Sequence, residues 1–239
     1  MAKNIDRREF IKIAGGSLLA VAATSWGWDR YLEVSAKTKL PPSSPDAPNV
    51  LMIVLDTVRA QNLNLYGYHR PTMPKLEQIA KTGVFFEQAV SPAPWTLPSH
   101  ASMFTGRHPH ELSADWTTPL DATYPTLAEI LYQHGYVTAG FVANKIYCSY
   151  ESGLNRGFMH YEDYLVSPGQ LIRSSALGRE ITNNLDLRQR FKYYDDLGGK
   201  SAERLNHDFL SWLSRQEQGP FFAFLNYFDA HNPLSLIHI

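Results

Sequence analysis

One hydroxyl and one carboxylate stand out in this chain for where they fall. In the run from Ser91 to Arg107, Thr96 comes just before Pro98, and Gly106 closes the segment. Proline fits the first turn of a helix, where a missing N–H costs nothing, and glycine ends helices in a left-handed cap. The pattern predicts a short helix with Thr96 at its N-terminus. There, free backbone N–H groups and the positive end of the helix dipole favour a tetrahedral oxyanion such as phosphate or sulfate. A plainer reading, that Thr96 or Ser99 caps the helix, fits the same pattern. Asp56 ends the apolar run from Asn49 to Leu55, which reads as a parallel strand buried on both faces. Such sheets bind ligands beyond the carboxyl ends of their strands. Asp56 can therefore hold a metal beside Thr96, or simply cap a helix. Two later strand ends carry further candidates: Asn144 and Lys145, and then Asp229 and His231.

The elements that must position these residues are legible as periodic segments. Residues 72–83 and 123–135 each combine an N-cap candidate (Thr72, Thr123), an early proline, apolar residues at helical spacing and a closing glycine. Tyr136 to Ala143 and Phe221 to Phe228 read as apolar strands, and Ala202, Leu205, Phe209, Trp212 and Leu213 share one helical face between them. Helix followed by strand implies parallel winding and an α/β sandwich. From about Gly153 to Lys200 no period is visible, which predicts an irregular excursion over the active face. His108 and His110 read as a loop after the helix rather than a metal pair. Asp195 and Asp196 read as solvated charges.

Composition excludes several classes of function. Apolar residues make up 44% and the formal net charge is −1, with 22 Lys and Arg against 23 Asp and Glu, so nothing points to disorder or to a nucleic-acid surface. Cys148 is the single cysteine, which rules out an internal disulfide and reads as a buried thiol. Arg7, Arg8, Phe10 and Lys12, followed by a short apolar run, resemble a twin-arginine export signal, which implies the twin-arginine machinery as partner and the periplasm or cell surface as destination. The expected organisation is a signal and its flank over residues 1–34, a Pro/Ser linker over 35–47 and a catalytic region over 48–233. Residues 234–239 equal one reading frame of a common transposase adapter and are expected to be a non-native tail.

The run from Ser91 to Arg107 resembles the sulfatase signature of the alkaline phosphatase superfamily, C/S-x-P-S-R-x-x-x-x-T-G-R. Pro98, Ser99, Thr105, Gly106 and Arg107 fall on its fixed positions. The resemblance extends from Pro48 to about Pro233, with Asn49 to Arg59 as a second anchor. It implies that superfamily's α/β/α sandwich around a mostly parallel sheet, truncated at the C-terminus. It also implies a divalent metal on Asp56 and Thr96, with Thr96 as nucleophile. His231 resembles the histidine that contacts substrate or transfers a proton. Asn144, with Lys145 displaced by one, takes the place of a sulfate-binding lysine.

Three departures bear on the chemistry. Thr96 stands where sulfatases carry the Cys or Ser that becomes formylglycine, and His100, a substrate-binding candidate, stands where they carry Arg. Thr57 replaces a second Asp. Threonine cannot become formylglycine, so the resemblance implies a metal-dependent hydrolase of sulfate or phosphate esters in which phosphodiester or phosphonate monoester hydrolysis is favoured. The metal would be calcium if the site is sulfatase-like, and zinc or manganese if it is phosphohydrolase-like. The substrate would be a small-molecule, glycan-linked or lipid-linked ester. The alternatives are an envelope phosphoglycerol or phosphoethanolamine transferase, or a non-catalytic envelope binding protein on the same fold. The family's remaining metal ligands lie beyond Pro233, so this fragment alone is expected to be inactive.

Overall fold

The computed structural model describes residues 33–163, 200–216 and 219–231. The twin-arginine motif, Asp195, Asp196 and residues 234–239 lie outside them. Four strands form one sheet: β1 (Val50–Leu55), β2 (Val137–Val142), β3 (His160–Glu162) and β4 (Phe221–Tyr227), in the order β1-β4-β2-β3. Every pairing is parallel, with Leu55 opposite Tyr227, Val142 opposite Asn226 and Phe141 opposite Glu162. All four carboxyl ends therefore open on one edge of the sheet.

Four of the helices among the described residues are α1 (Pro74–Ala80), α2 (Thr96–Thr105), α3 (Leu127–Gln133) and α4 (Ala202–Leu213). Side chains alternate across a strand, and that parity sorts the core. Phe222, Phe224 and Val142 face α2, where Leu97, Ala101 and Phe104 recur at helical spacing. Phe141, Ala223 and Leu225 face the other way, onto Leu205, Phe209 and Trp212 of α4. Trp212 is fully buried and meets Phe141 edge-on at 5.9 Å; its truncation to alanine would cost about 3–5 kcal/mol. Cys148 is buried, as its sequence reading had it.

Several expectations are corrected. The β1 strand is not buried on both faces: Leu51 and Ile53 are 47% and 52% exposed, because α4 packs on β4 and β2 and leaves that face of β1 open. Residues 160–162 form β3 inside the stretch expected to lack regular structure. Neither Thr72 nor Thr123 caps its helix. Asn64 Oδ1 accepts from Met73 N at the start of α1, and Thr126 forms a reciprocal capping box with Glu129 at the start of α3. His108 and His110 stack at 5.7 Å in a single 3₁₀ turn.

Candidate active site

Helix α2 presents the candidate nucleophile. Trp95 is its N-cap and makes no side-chain capping bond, so Thr96 is the first helical residue and Pro98 the third. Pro98 thus occupies a position whose N–H has no intrahelical acceptor. Ser99 does not cap either; its hydroxyl meets that of Ser91 at 3.2 Å. Gly106 ends the helix at φ 67°, donating its N–H to Ser102 O at 2.8 Å. Thr105 hydrogen-bonds back to Ala101 O, and the Arg107 guanidinium lies 4.7 Å from the Tyr124 ring centroid. These signature positions shape the helix end, away from the chemistry.

The Thr96 hydroxyl points at Asp56, donating to its two carboxylate oxygens at 3.5 and 3.4 Å. Asp56 is buried at the mouth of β1, and its N–H donates to Tyr227 O. Asn144 completes the triangle: its Nδ2 donates to Asp56 Oδ2 at 2.8 Å and lies 3.5 Å from Thr96 Oγ1. The amide's orientation is fixed by its other end, where Oδ1 accepts from the N–H groups of Ile146 and Tyr147 at 3.3 and 3.2 Å.

A second layer lies directly beneath. Asn226 is fully buried in β4 on the same face as Phe222 and Phe224. Its Oδ1 accepts from Asn144 N at 3.0 Å and its Nδ2 lies 3.3 Å from His100 Nε2. His100 Nδ1 lies 2.8 Å from Thr96 O. Burial pulls the His100 imidazole below its ordinary pKa, although the Thr96 carbonyl and the Asp56 charge push the other way. The sequence reading missed Asn226. The signal was an amide inside an otherwise apolar strand.

The structure therefore gathers Asp56, Thr96, His100 and Asn144. The other candidates lie in adjoining turns. Lys145 is half-buried beside Asn144. The His231 ring stacks on Phe228 at 4.2 Å, and Thr57 Oγ1 donates to Ala230 O at 3.1 Å, tying the His231 turn to the Asp56 loop. Thr57 itself has φ 60°, a left-handed backbone that β-branched residues rarely adopt, directly after Asp56. Asp229 has a structural task, accepting from Ala202 N at 2.9 Å at the start of α4. Trp95, the residue before Thr96, packs 5.7 Å from Trp116 and 6.5 Å from Tyr147, ring centre to ring centre.

Among the described residues no group of three or more His, Cys, Asp and Glu side chains gathers into a metal cluster. The donors on offer are two hard oxygens, the Asp56 carboxylate and the Thr96 hydroxyl. Asp56 pairs with no cationic side chain among the described residues. A buried carboxylate without a counter-charge, beside a second oxygen, fits part of the coordination shell of a divalent cation.

The family model described as Sulfatase matches residues 48–236. Human arylsulfatase D is 34% identical over 103 residues, a match covering 38% of this chain and 17% of that protein. The phosphonate monoester hydrolase of Agrobacterium radiobacter superposes with a TM-score of 0.58 at 22% identity, over 78% of this chain and 42% of that one. The soluble domain of lipooligosaccharide phosphoethanolamine transferase A from Neisseria meningitidis gives 0.52 at 18% identity, over 82% and 50%. The chain thus spans less than a fifth of the human enzyme and under half of the phosphonate hydrolase. With the family model covering most of its length, the chain belongs to the sulfatase family.

Proposed function

We propose that this chain carries the nucleophile half of a divalent-metal-dependent hydrolase whose substrates are phosphodiesters or phosphonate monoesters rather than sulfate esters. The observation that carries the reading is Thr96: a hydroxyl at the start of α2, aimed at a buried carboxylate at 3.4 to 3.5 Å. Asp56 and Thr96 Oγ1 would hold the metal. When bound, a divalent ion lowers the pKa of a hydroxyl ligand and offsets charge on the ester's oxygens.

The residues divide the remaining work. Thr96 Oγ1 gives its proton along the hydrogen bond to Asp56 and attacks phosphorus, forming the new O–P bond as the bond to the leaving alcohol breaks. Asn144 Nδ2 and the free N–H groups at the start of α2 stabilise the phosphoryl oxygens. His231 protonates the departing alkoxide. Water then attacks phosphorus and gives a proton back to His231 as the P–Oγ1 bond breaks, and Asp56 returns its proton to Thr96 Oγ1. Trp95 and Trp116 rest against the organic part of the ester. A sulfate ester would stop at the covalent stage, because a threonine ether oxygen has no geminal hydroxyl through which to expel sulfate. The arginine pair at residues 7–8 supports export by the twin-arginine route.

The test is the paired rate of the full-length protein on an aryl phosphodiester and the matching aryl sulfate, each with Thr96→Ala as control. A dominant, Thr96-dependent phosphodiester rate supports the proposal. A dominant sulfate rate sinks it, and transfer of the phosphoryl group to an added alcohol instead of water selects the transferase.

A further inference from the structure

The hydrogen bonds beneath Thr96 can be assigned donor by donor. A main-chain N–H only donates, so Asn144 N fixes the oxygen of Asn226 on its side, and the Asn226 amide nitrogen must face His100. A carbonyl only accepts, so His100 Nδ1 carries the proton that meets Thr96 O. The neutral ring then leaves Nε2 bare, and Nε2 accepts from Asn226. The result is one directed path from the β2 turn to the helix start: Asn144 N–H to Asn226, Asn226 to His100, His100 to the Thr96 carbonyl. Turning the Asn226 amide over would set donor against donor at Asn144 and break the path.

Both ends of this path matter to the chemistry proposed above. One end holds the turn from which Asn144 reaches Asp56 and Thr96; the other holds the residue bearing the nucleophile. His100 also packs edge-on against Phe224 at 5.8 Å, so the ring has one place to sit. We propose that Asn226 is the positioning residue of this site, acting through His100 held as its Nδ1–H tautomer and through the main chain of Asn144 to set the approach of Asn144 and Thr96. Asn226 touches no reacting atom. The proposal rests on the Thr96 reading, and its test has one arm that needs no turnover.

That arm is ¹⁵N NMR of the histidine rings in the full-length protein. A His100 signal with protonated Nδ1 and bare Nε2 is expected; an Nε2–H tautomer overturns the proposal, whatever the enzyme's activity. The kinetic arm uses Asn226→Leu, with the isosteric Asn226→Asp in reserve should the leucine variant fail to fold, since the carboxylate still accepts from Asn144 N but cannot donate to His100. For turnover of the aryl phosphodiester, Asn226→Leu should lower kcat by about 100-fold, the cost of a small misplacement, with KM little changed. In an Asn144→Ala background the same change should cost clearly less than in the wild type, because the branch through Asn144 is already lost and only the one through His100 to Thr96 remains. Losses that multiply in full in the double variant would mark Asn226 as a folding residue alone and overturn the proposal.

Discussion

Two of the buried polar groups among the described residues settle their charges in opposite ways. At the outer strand, Lys200 Nζ lies 2.6 Å from Glu162 and 3.6 Å from Asp208, whose carboxylate also meets Arg204 at 3.0 Å. His160 adds a contact to Glu162 at 3.4 Å. Every charge there has an opposite charge within reach. At the strand mouths, Asp56 is the only acid in the cluster, and its partners are an amide and a hydroxyl. The first group closes on itself and locks β3 to α4. The second is built of an amide and a hydroxyl around one carboxylate that no cationic side chain among the described residues pairs with, the place where the proposed cation would sit. A polar cluster with satisfied charges argues for structure, and one with a missing counter-charge argues for a site.

The contrast can be broken first by chemistry. Thr96→Ala should remove phosphodiester turnover by at least about 10³-fold while leaving the thermal transition in place. The opposite result is expected at the other cluster. Lys200→Met should cost about 3–5 kcal/mol in denaturant unfolding, as the carboxylates of Glu162 and Asp208 lose their buried cation. The surviving folded enzyme should turn over normally.

Metal sharpens the comparison. A divalent ion at a hundred times its Kd should stabilise the wild type by about 2.7 kcal/mol, and an Asp56→Asn variant should gain nothing. Without metal, Asp56→Asn should be the more stable protein by about 1 kcal/mol, because it removes a buried charge that no cationic side chain offsets. Calorimetry on both proteins, with and without the ion, checks all of this.

The smallest effect concerns pH. Burial alone would raise the Glu162 carboxyl, but the His160 ring and Lys200 outweigh it and hold the group at about 2 against an ordinary 4.5. A carboxyl depressed on folding contributes its stability above its unfolded pKa. That contribution should fade as pH falls from about 4.5 towards about 2, and Glu162→Gln should flatten the stability curve over the same window.

What the sequence disclosed follows from period and punctuation. The apolar strands, the α2 helix and the pairing of Thr96 with Asp56 were legible because a buried strand, a proline and a glycine each leave a local mark. The exposure of Leu51 and Ile53 was not, since the apolar run reads the same whether or not a helix covers it. Nor was β3: a three-residue strand such as His160–Glu162 is too short to show a period. Asn226 was hidden for a different reason. Its role comes from parity in β4 combined with the rotation of α2, and only the folded molecule brings that amide to His100.

The central claim is that Thr96 attacks phosphorus, and its covalent product can be weighed. Full-length protein mixed with a phosphodiester, quenched in acid within a turnover and digested, should yield the peptide containing Thr96 with the phosphoryl ester attached, and no adduct after Thr96→Ala. Steady turnover with an unmodified Thr96 peptide at every quench time, or an adduct on another residue, would contradict the account.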